Sequence, residues 1–196
     1  MAVPDLHHRL AKALSRTGHA SSDFDLNHDI AAPQGQLTPA AVLFAVHEET
    51  GQVILTKRSA RLKHHPGQIA LPGGKQDPSD ASLIDAALRE AREEIGLPSD
   101  MVDVLGMLPP HQTVTGYQIT PVLAVLRGAF HPVPEAGEVS EVFEVPFDHL
   151  TNLSNYQIEG RRWQGRKRLY YTVPYGPYYI WGATARILRA FAERVA

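Results

Sequence analysis

The spacing of hydrophobic residues predicts three helices in this chain. Three stretches carry an apolar residue every three or four positions, which is the period of an amphipathic helix. They are residues 4–18, a middle segment that ends before Gly96, and the stretch from Ile180 to about Arg194. We expect the middle helix to begin at Ser79 or Asp80, whose side chains can accept amide hydrogens of the first turn. Glycine commonly ends a helix, so we expect it to stop at Gly96.

Between these helices the pattern is that of β-strands. Residues 40–46 are almost entirely apolar, which predicts a buried strand, and residues 53–56 return after a turn as the second strand of a hairpin. Apolar residues cluster or alternate again in several later segments. We predict strands at residues 102–108, 119–126 and 138–146, and a hairpin over residues 163–173 with the basic triplet 166–168 at its tip.

Strands that alternate with helices are compatible with the α/β class. The chain has 196 residues, 43% of them hydrophobic, which is enough for one domain with a sizeable core. We assign residues 1–36 to an N-terminal helix and arm, and residues 37–196 to the main domain.

Composition excludes several classes of function. The net charge of −2 argues against non-specific binding of nucleic acid, and the absence of cysteine excludes a thiol nucleophile and a disulfide framework. No apolar run reaches the roughly 18 residues needed to span a bilayer. The N-terminus has no secretory pattern, so we expect a cytoplasmic protein without a membrane partner.

The candidate chemistry lies in residues 71–97. The pair Gly73-Gly74 allows the backbone to approach a ligand closely. Glu90, Glu93 and Glu94 then lie three and four residues apart and project from one side of the last helical turns. Three carboxylates at the negative end of the helix dipole are unfavourable for stability. They indicate either a solvated acidic surface or a site for a hard divalent ion such as Mg2+.

A basic segment precedes the glycine pair. It contains Lys57, Arg58, Arg61 and Lys63. Such a loop can be solvated, or it can hold phosphate groups, because arginine offers a planar pair of donors and lysine a point charge. Because the segment leads directly into Gly73-Gly74, we favour the phosphate-binding interpretation.

The sequence Arg89-Glu90-x-x-Glu93-Glu94-x-Gly96 after a Gly-Gly loop resembles the Nudix box, the catalytic motif of the Nudix hydrolases. In one respect it differs: the position of the usual first glutamate of the box is Ala81, and Asp80 lies one residue earlier, so the loop carries one extra residue. The resemblance implies an α/β/α sandwich with a mixed β-sheet and hydrolysis of a nucleoside diphosphate linked to another group. It also implies Mg2+ or Mn2+ held by Glu90, Glu93 and Glu94, with Arg89 orienting Glu93 by an ion pair.

A second motif upstream is similar to that of coenzyme A pyrophosphatases. It runs from Ile54 through Arg58-Ser59, Lys63 and Gly67 to Leu71-Pro72-Gly73-Gly74, with lysine where the family pattern has a second arginine. The resemblance implies cleavage of coenzyme A to 4′-phosphopantetheine and adenosine 3′,5′-bisphosphate. Arg58, Lys63, Gly73 and Gly74 would then bind the substrate.

Several roles stay open at this stage. Nudix enzymes often supply one more acidic residue as ligand or base from the region after the catalytic helix, and we choose Glu141 for it. His111 and Thr113 are weaker candidates for substrate contact. The basic triplet 166–168 is either a solvated turn or a contact to the 3′-phosphate of coenzyme A.

Another nucleoside diphosphate substrate such as NADH or ADP-ribose, a nucleoside triphosphate, and a non-catalytic nucleotide sensor are the alternative functions. The oligomeric state is open between a monomer and a homodimer.

Overall fold

The computed structural model describes residues 5–30, 35–163 and 165–196. Within these ranges the chain forms four α-helices and two short 3-10 turns. The helices are α1 (Leu6–Ser15), α2 (Leu83–Ile95), α3 (Phe147–Thr151) and α4 (Gly182–Val195); the turns are Ser99–Met101 and Leu153–Asn155. None of the helices in this part of the chain is both long and apolar enough to cross a membrane.

The described residues also form eleven strands. They are β1 (Ser21–Ser22), β2 (Thr38–His47), β3 (Gln52–Arg58), β4 (Ile69–Ala70), β5 (Gly73–Lys75), β6 (Val102–Met107), β7 (His111–Gln112), β8 (Tyr117–Leu126), β9 (Val139–Pro146), β10 (Gln157–Trp163) and β11 (Arg166–Thr172). Nine of them make one mixed sheet with the order β1-β7-β8-β2-β3-β4, in which β5 also pairs with β2, β6 with β8 and β9 with β3. Strands β10 and β11 form a separate antiparallel pair.

Strand β2 lies at the centre of the large sheet. It runs parallel to β8 over ten residue pairs and antiparallel to β3 and β5. Its side chains alternate between two buried clusters: Phe44 and Val46 point into one, and Leu43 and Ala45 into the other. The predicted hairpin of β2 and β3 is therefore confirmed, and burial on both faces explains why its first strand reads as a continuous apolar run.

The two clusters fill the spaces on either side of the sheet. Helix α2 covers one face through Ala87, Ala91 and Ile95, and the opposite face is covered by α1, α3 and α4. This arrangement is the predicted α/β/α sandwich with a mixed sheet. Leu6 and Leu10 of α1 are buried in the same cluster as Phe191 of α4, so the N-terminal helix shares the core of the rest of the chain.

The start of α2 differs from the prediction. Its N-cap is Ser82, whose hydroxyl accepts a hydrogen bond from the Asp85 amide, so the helix begins two to three residues later than Ser79 or Asp80 would have placed it. The end is as predicted: Gly96 has the left-handed φ of 71° and its amide donates to the last-turn carbonyls. Because Asp80 does not cap the helix, its carboxylate is free to bind Arg89 instead.

Two other predictions are corrected by the fold. The triplet 166–168 lies within β11, with Arg168 opposite Arg161 and Lys167 opposite Arg162, so it is not a hairpin tip. His111 is fully buried in β7, where its ring is hydrogen-bonded to Ser21 and Asp23. Thr113 is buried as well and bonds to the backbone of Tyr117. His111 and Thr113 therefore stabilise this side of the sheet and are not exposed substrate contacts.

Candidate active site

The glycine pair lies in β5, pressed against the neighbouring strand β2. Gly73 pairs with Val42 and has φ of 151°. A Cβ atom at Gly73 would come within 2.3 Å of the Ala41 carbonyl oxygen, so only glycine fits without a shift of backbone. The Gly73 amide donates to Glu94 Oε2 at 3.1 Å. This glycine therefore brings a backbone donor onto a carboxylate of α2.

Gly74 makes the corresponding approach to the other inward carboxylate. A Cβ atom at Gly74 would lie 2.5 to 2.8 Å from the carboxylate atoms of Glu90. The missing side chain thus leaves the space in which the Glu90 carboxylate sits. Glu90 and Glu94 are one helical turn apart, and both face the same short strand.

Burial raises the pKa of both carboxyl groups. The Glu94 side chain is 5% exposed, and burial raises its pKa to about 7, against the opposing effect of the Gly73 amide. The negative charge of Glu90 adds to this increase, and Arg58 Nη1, 3.8 Å away, reduces it. Burial also raises the pKa of Glu90, and the neighbouring Arg89 lowers it. The site therefore holds two carboxyl groups whose charged forms are insufficiently stabilised by the protein alone.

Arg89 organises the outer side of the helix. Its guanidinium makes two hydrogen bonds to Asp80, at 2.9 and 3.0 Å, and donates to Glu93 at 2.8 Å and to Glu90 at 3.1 Å. A further bond reaches the Lys75 carbonyl at the end of β5. The structure thus contains the predicted Arg89–Glu93 ion pair. It also shows what sequence reasoning missed: Asp80 is the main partner of Arg89, and this bond lowers the pKa of Asp80.

The third glutamate of the predicted metal set has a different environment. The Glu93 side chain is 59% exposed and is bound to Arg89, whereas Glu90 and Glu94 face β5. Across the described ranges, no three acidic or histidine side chains are grouped closely enough to enclose a metal ion. The donor chemistry nevertheless fits Mg2+ or Mn2+, because these ions prefer carboxylate oxygens and often keep several water or phosphate ligands. Buried carboxylates with raised pKa values are also stabilised by a nearby cation.

Glu141 lies on β9, opposite Lys57 of β3. Its carboxylate accepts a hydrogen bond of 2.5 Å from the Tyr178 hydroxyl, and that bond raises the pKa of Tyr178. The Tyr178 ring in turn stacks on Phe143, with 3.6 Å between the ring centroids. Glu141 therefore has an established partner outside the pair Glu90 and Glu94.

Glu138 is the acidic residue that sequence reasoning overlooked. Its charge contributes to the raised pKa values of both Glu90 and Glu94. Its carbonyl accepts a bond from the amide of Ser59, which follows the end of β3. The register between β3 and β9 shifts at Lys57 and Arg58, so that Arg58 pairs with Val139, the residue after Glu138. The alternation of acidic and apolar residues identifies the segment 138–146 in the sequence. No sequence pattern predicts the irregular strand pairing at its start.

The basic segment contributes one residue to this centre. Arg58 is the last residue of β3, and its Nη1 lies 3.8 Å from Glu94 Oε1. Its Nε atom is buried and finds no hydrogen-bond partner within the ranges that the structure describes. Lys63 lies further along, on the exposed part of the loop between β3 and β4. The structure thus brings together Arg58, Gly73, Gly74, Glu90 and Glu94, with Arg89 and Glu93 beside them.

A cavity of about 720 Å³ lies elsewhere, between residues 15–21 and α4. None of the predicted site residues lines it. The guanidinium groups of Arg16 and Arg194 at this cavity donate to backbone carbonyls. The candidate active site is therefore defined by its paired carboxylates and glycine strand, and not by the size of an opening.

The fold and the site together define an α/β protein with carboxylates and a guanidinium at a glycine-rich strand, a combination suited to phosphate chemistry. The model of the NUDIX domain matches residues 36–166. A protein named Uncharacterized Nudix hydrolase NudL from Enterobacter sp. (strain 638) is 41% identical over 157 residues, which are 80% of this chain and 82% of that protein. Its namesake from Pectobacterium atrosepticum is 38% identical over 187 residues, 92% of this chain and 97% of the relative.

A crystal structure of the MutT protein from Methanosarcina mazei Go1 has a similar fold. Its TM-score is 0.54 at 18% identity, covering 83% of this chain and 96% of that one. The chain belongs to the Nudix family and is a Nudix hydrolase. Members of this family generally use divalent metal ions such as Mg2+ or Mn2+ and act on small-molecule substrates.

Proposed function

We propose that this Nudix hydrolase cleaves the diphosphate bond of coenzyme A, with 4′-phosphopantetheine and adenosine 3′,5′-bisphosphate as products. The observation that carries the proposal is the approach of Arg58 to Glu94. Arg58 belongs to the upstream motif that resembles coenzyme A pyrophosphatases, and Glu94 belongs to the Nudix box; their side chains are 3.8 Å apart. The upstream motif and the catalytic helix thus contribute to one site, which supports a substrate selected through the upstream motif.

The guanidinium of Arg58 supports a phosphate-binding role. Its Nε atom has no hydrogen-bond partner among the described residues, and leaving such a donor unpaired costs free energy. A phosphate oxygen would satisfy it and would match the planar geometry of arginine. We propose that Arg58, Lys63 and the backbone of Gly73 and Gly74 bind the diphosphate.

Glu90, Glu93 and Glu94 are the proposed ligands of Mg2+ or Mn2+, which when bound would neutralise the diphosphate oxygens and lower the pKa of a water molecule. Arg89 holds Glu93 and Glu90 in place through hydrogen bonds of 2.8 and 3.1 Å. The oxygen of water forms a new bond to one phosphorus, the bridging oxygen leaves with the other phosphate, and a carboxylate accepts the water proton. We propose Glu138 for this last role in preference to Glu141, because the Glu141 carboxylate is bonded to Tyr178, whereas the Glu138 backbone is bonded to Ser59, the residue after Arg58.

The product of the reaction in H2-18O, measured by mass spectrometry, tests the proposal. We expect the two named products, with one 18O atom incorporated into one of them. A parallel panel compares kcat/KM for coenzyme A, NADH, ADP-ribose and a nucleoside triphosphate, and coenzyme A should have the highest value. A higher value for another substrate would assign the enzyme to that substrate. Binding without turnover in both Mg2+ and Mn2+ would support the sensor instead.

A matched pair of variants tests the role of Arg58. Arg58→Gln should raise KM for coenzyme A, since it removes a phosphate donor. Arg127→Gln is the control: Arg127 forms an exposed ion pair with Asp103, at 2.5 Å, on the far end of β8. Equal effects of the two substitutions on KM would contradict a specific role of Arg58.

A further inference from the structure

One strand edge of the small sheet is open. Strand β10 pairs with β11 on one side only, and among the described residues its outer edge makes no backbone hydrogen bond. The outer edge of β11 is covered instead, since the Asn27 side chain bonds to the backbone N–H and C=O of Leu169. Five of the six residues from Gln157 to Arg162 are exposed. An open edge of this length is a template for a further strand.

The charges on this edge are arranged unevenly. Glu159 is the only acidic residue of β10, and Arg161 lies two positions away on the same face. Both side chains are held in place: Glu159 accepts a bond of 2.8 Å from the Tyr179 hydroxyl, and the Arg161 guanidinium lies 4.7 Å from the Trp181 ring centroid. An approaching strand therefore meets a fixed pair of opposite charges.

A second copy of this chain could add its own β10 to the edge. Two identical strands that pair antiparallel are related by a two-fold axis perpendicular to the sheet, which is the commonest symmetry of protein dimers. Rotation about such an axis leaves each side chain on the same face of the sheet. Residues directly opposite each other in an antiparallel pair also lie on the same face. Two opposed residues must therefore both have even numbers or both have odd numbers, so the sum of their numbers is even. Only a few registers of the two β10 strands meet this condition.

Charge selects one of these registers. With Gly160 opposite Gly160, Glu159 of each copy faces Arg161 of the other, which gives two reciprocal ion pairs. If the sum of the two opposed residue numbers changes by two, Glu159 lies opposite Glu159 or Arg161 lies opposite Arg161. If it changes by four, Arg162 lies opposite Arg162 or Ile158 lies opposite Ile158, and neither arrangement forms an ion pair. Like charges directly opposite one another are unfavourable, and opposite charges are favourable. Gly160 at the axis has no Cβ, so the two strands can approach there without a side-chain clash.

The register also places a negative charge beside Arg161. Arg161 lies directly opposite Arg168 of β11, an arrangement of like charges across the ladder. Glu159 of a second copy would be on the other side of Arg161, with its negative charge beside this pair. We propose that the chain forms a two-fold dimer through antiparallel pairing of β10 with β10, centred on Gly160, and this interface is independent of the proposed substrate.

Sedimentation velocity on purified full-length protein tests the dimer. At about 200 µM, a concentration that detects micromolar association, we expect a species of twice the 21.6 kDa chain mass. Glu159→Arg and Arg161→Glu should each weaken dimerisation by at least about tenfold, because both ion pairs become repulsive. Arg162→Glu is the control, since Arg162 faces Ile158 in this register, and it should leave the dimer intact.

Mixing the two charge variants provides the decisive result. A Glu159→Arg chain and an Arg161→Glu chain have complementary edges, so an equimolar mixture should recover a dimer that neither chain forms alone. Recovery also shows that both variants are folded. A wild-type chain that remains monomeric, charge variants that dimerise as well as the wild type, or a mixture that stays monomeric would each overturn the proposal.

Discussion

Replacement of Glu94 by glutamine should separate the requirements of stability from those of catalysis. The Glu94 carboxyl is almost fully buried, and its pKa rises from 4.5 to about 7 in the folded chain. A carboxyl with a raised pKa binds its proton more tightly in the folded state than in the unfolded state. The free energy of unfolding therefore decreases as the pH rises from about 4.5 to above 7.

The size of this effect follows from the same values. The difference between 4.5 and about 7 corresponds to about 3 kcal/mol of lost stability once Glu94 is ionised. Glutamine has no charge to bury, and its side-chain oxygen can still accept the Gly73 amide bond. In metal-free protein the advantage of Glu94→Gln over the wild type should therefore grow by about 3 kcal/mol between pH 4.5 and pH 8. For a chain of this length that is roughly 6–12 °C in Tm.

Thermal unfolding in EDTA across this pH range measures the difference between the two proteins, so that other titrating groups common to both cancel. The same glutamine should lower kcat by orders of magnitude, because it removes a proposed metal ligand. Saturating Mg2+ should stabilise the wild type and not the variant at pH 8. A stability difference that is independent of pH, or one that favours the wild type increasingly at high pH without metal, would refute the reasoning.

Four further substitutions test the geometry of the site and its proposed base. Gly74→Ala should reduce kcat strongly, since its Cβ would lie 2.5 Å from a Glu90 oxygen; normal kinetics would contradict the close approach. Arg89→Lys should lower kcat with little change in far-UV circular dichroism, because lysine cannot reproduce the two bonds to Asp80 at 2.9 and 3.0 Å. Glu138→Gln should alter the pH profile of kcat more than Glu141→Gln, and the reverse order would return the role of base to Glu141.

Much of the fold could be predicted from local patterns. The period of apolar residues identified α2 and the hairpin of β2 and β3, and Gly96 ended α2 with the left-handed backbone that glycine adopts without strain. The resemblance of the box to a known family supplied the sandwich. The start of α2 was placed wrongly because Ser79, Asp80 and Ser82 all have capping side chains, and packing decides which of them is used.

The sequence by itself determined the chemistry of the site: an acidic helix end, a glycine pair and a basic strand end, with Arg89 four residues before Glu93. Tertiary structure decided which of these groups meet. In the folded chain Glu90 and Glu94 face β5, whereas Glu93 is exposed. Asp80 is hydrogen-bonded to Arg89, and Glu141 is hydrogen-bonded to Tyr178. The charge of Glu138 raises the pKa of Glu94. The physical reason is that helix periodicity fixes spacing within one element. Contacts between elements depend on strand register and on the space a missing Cβ leaves.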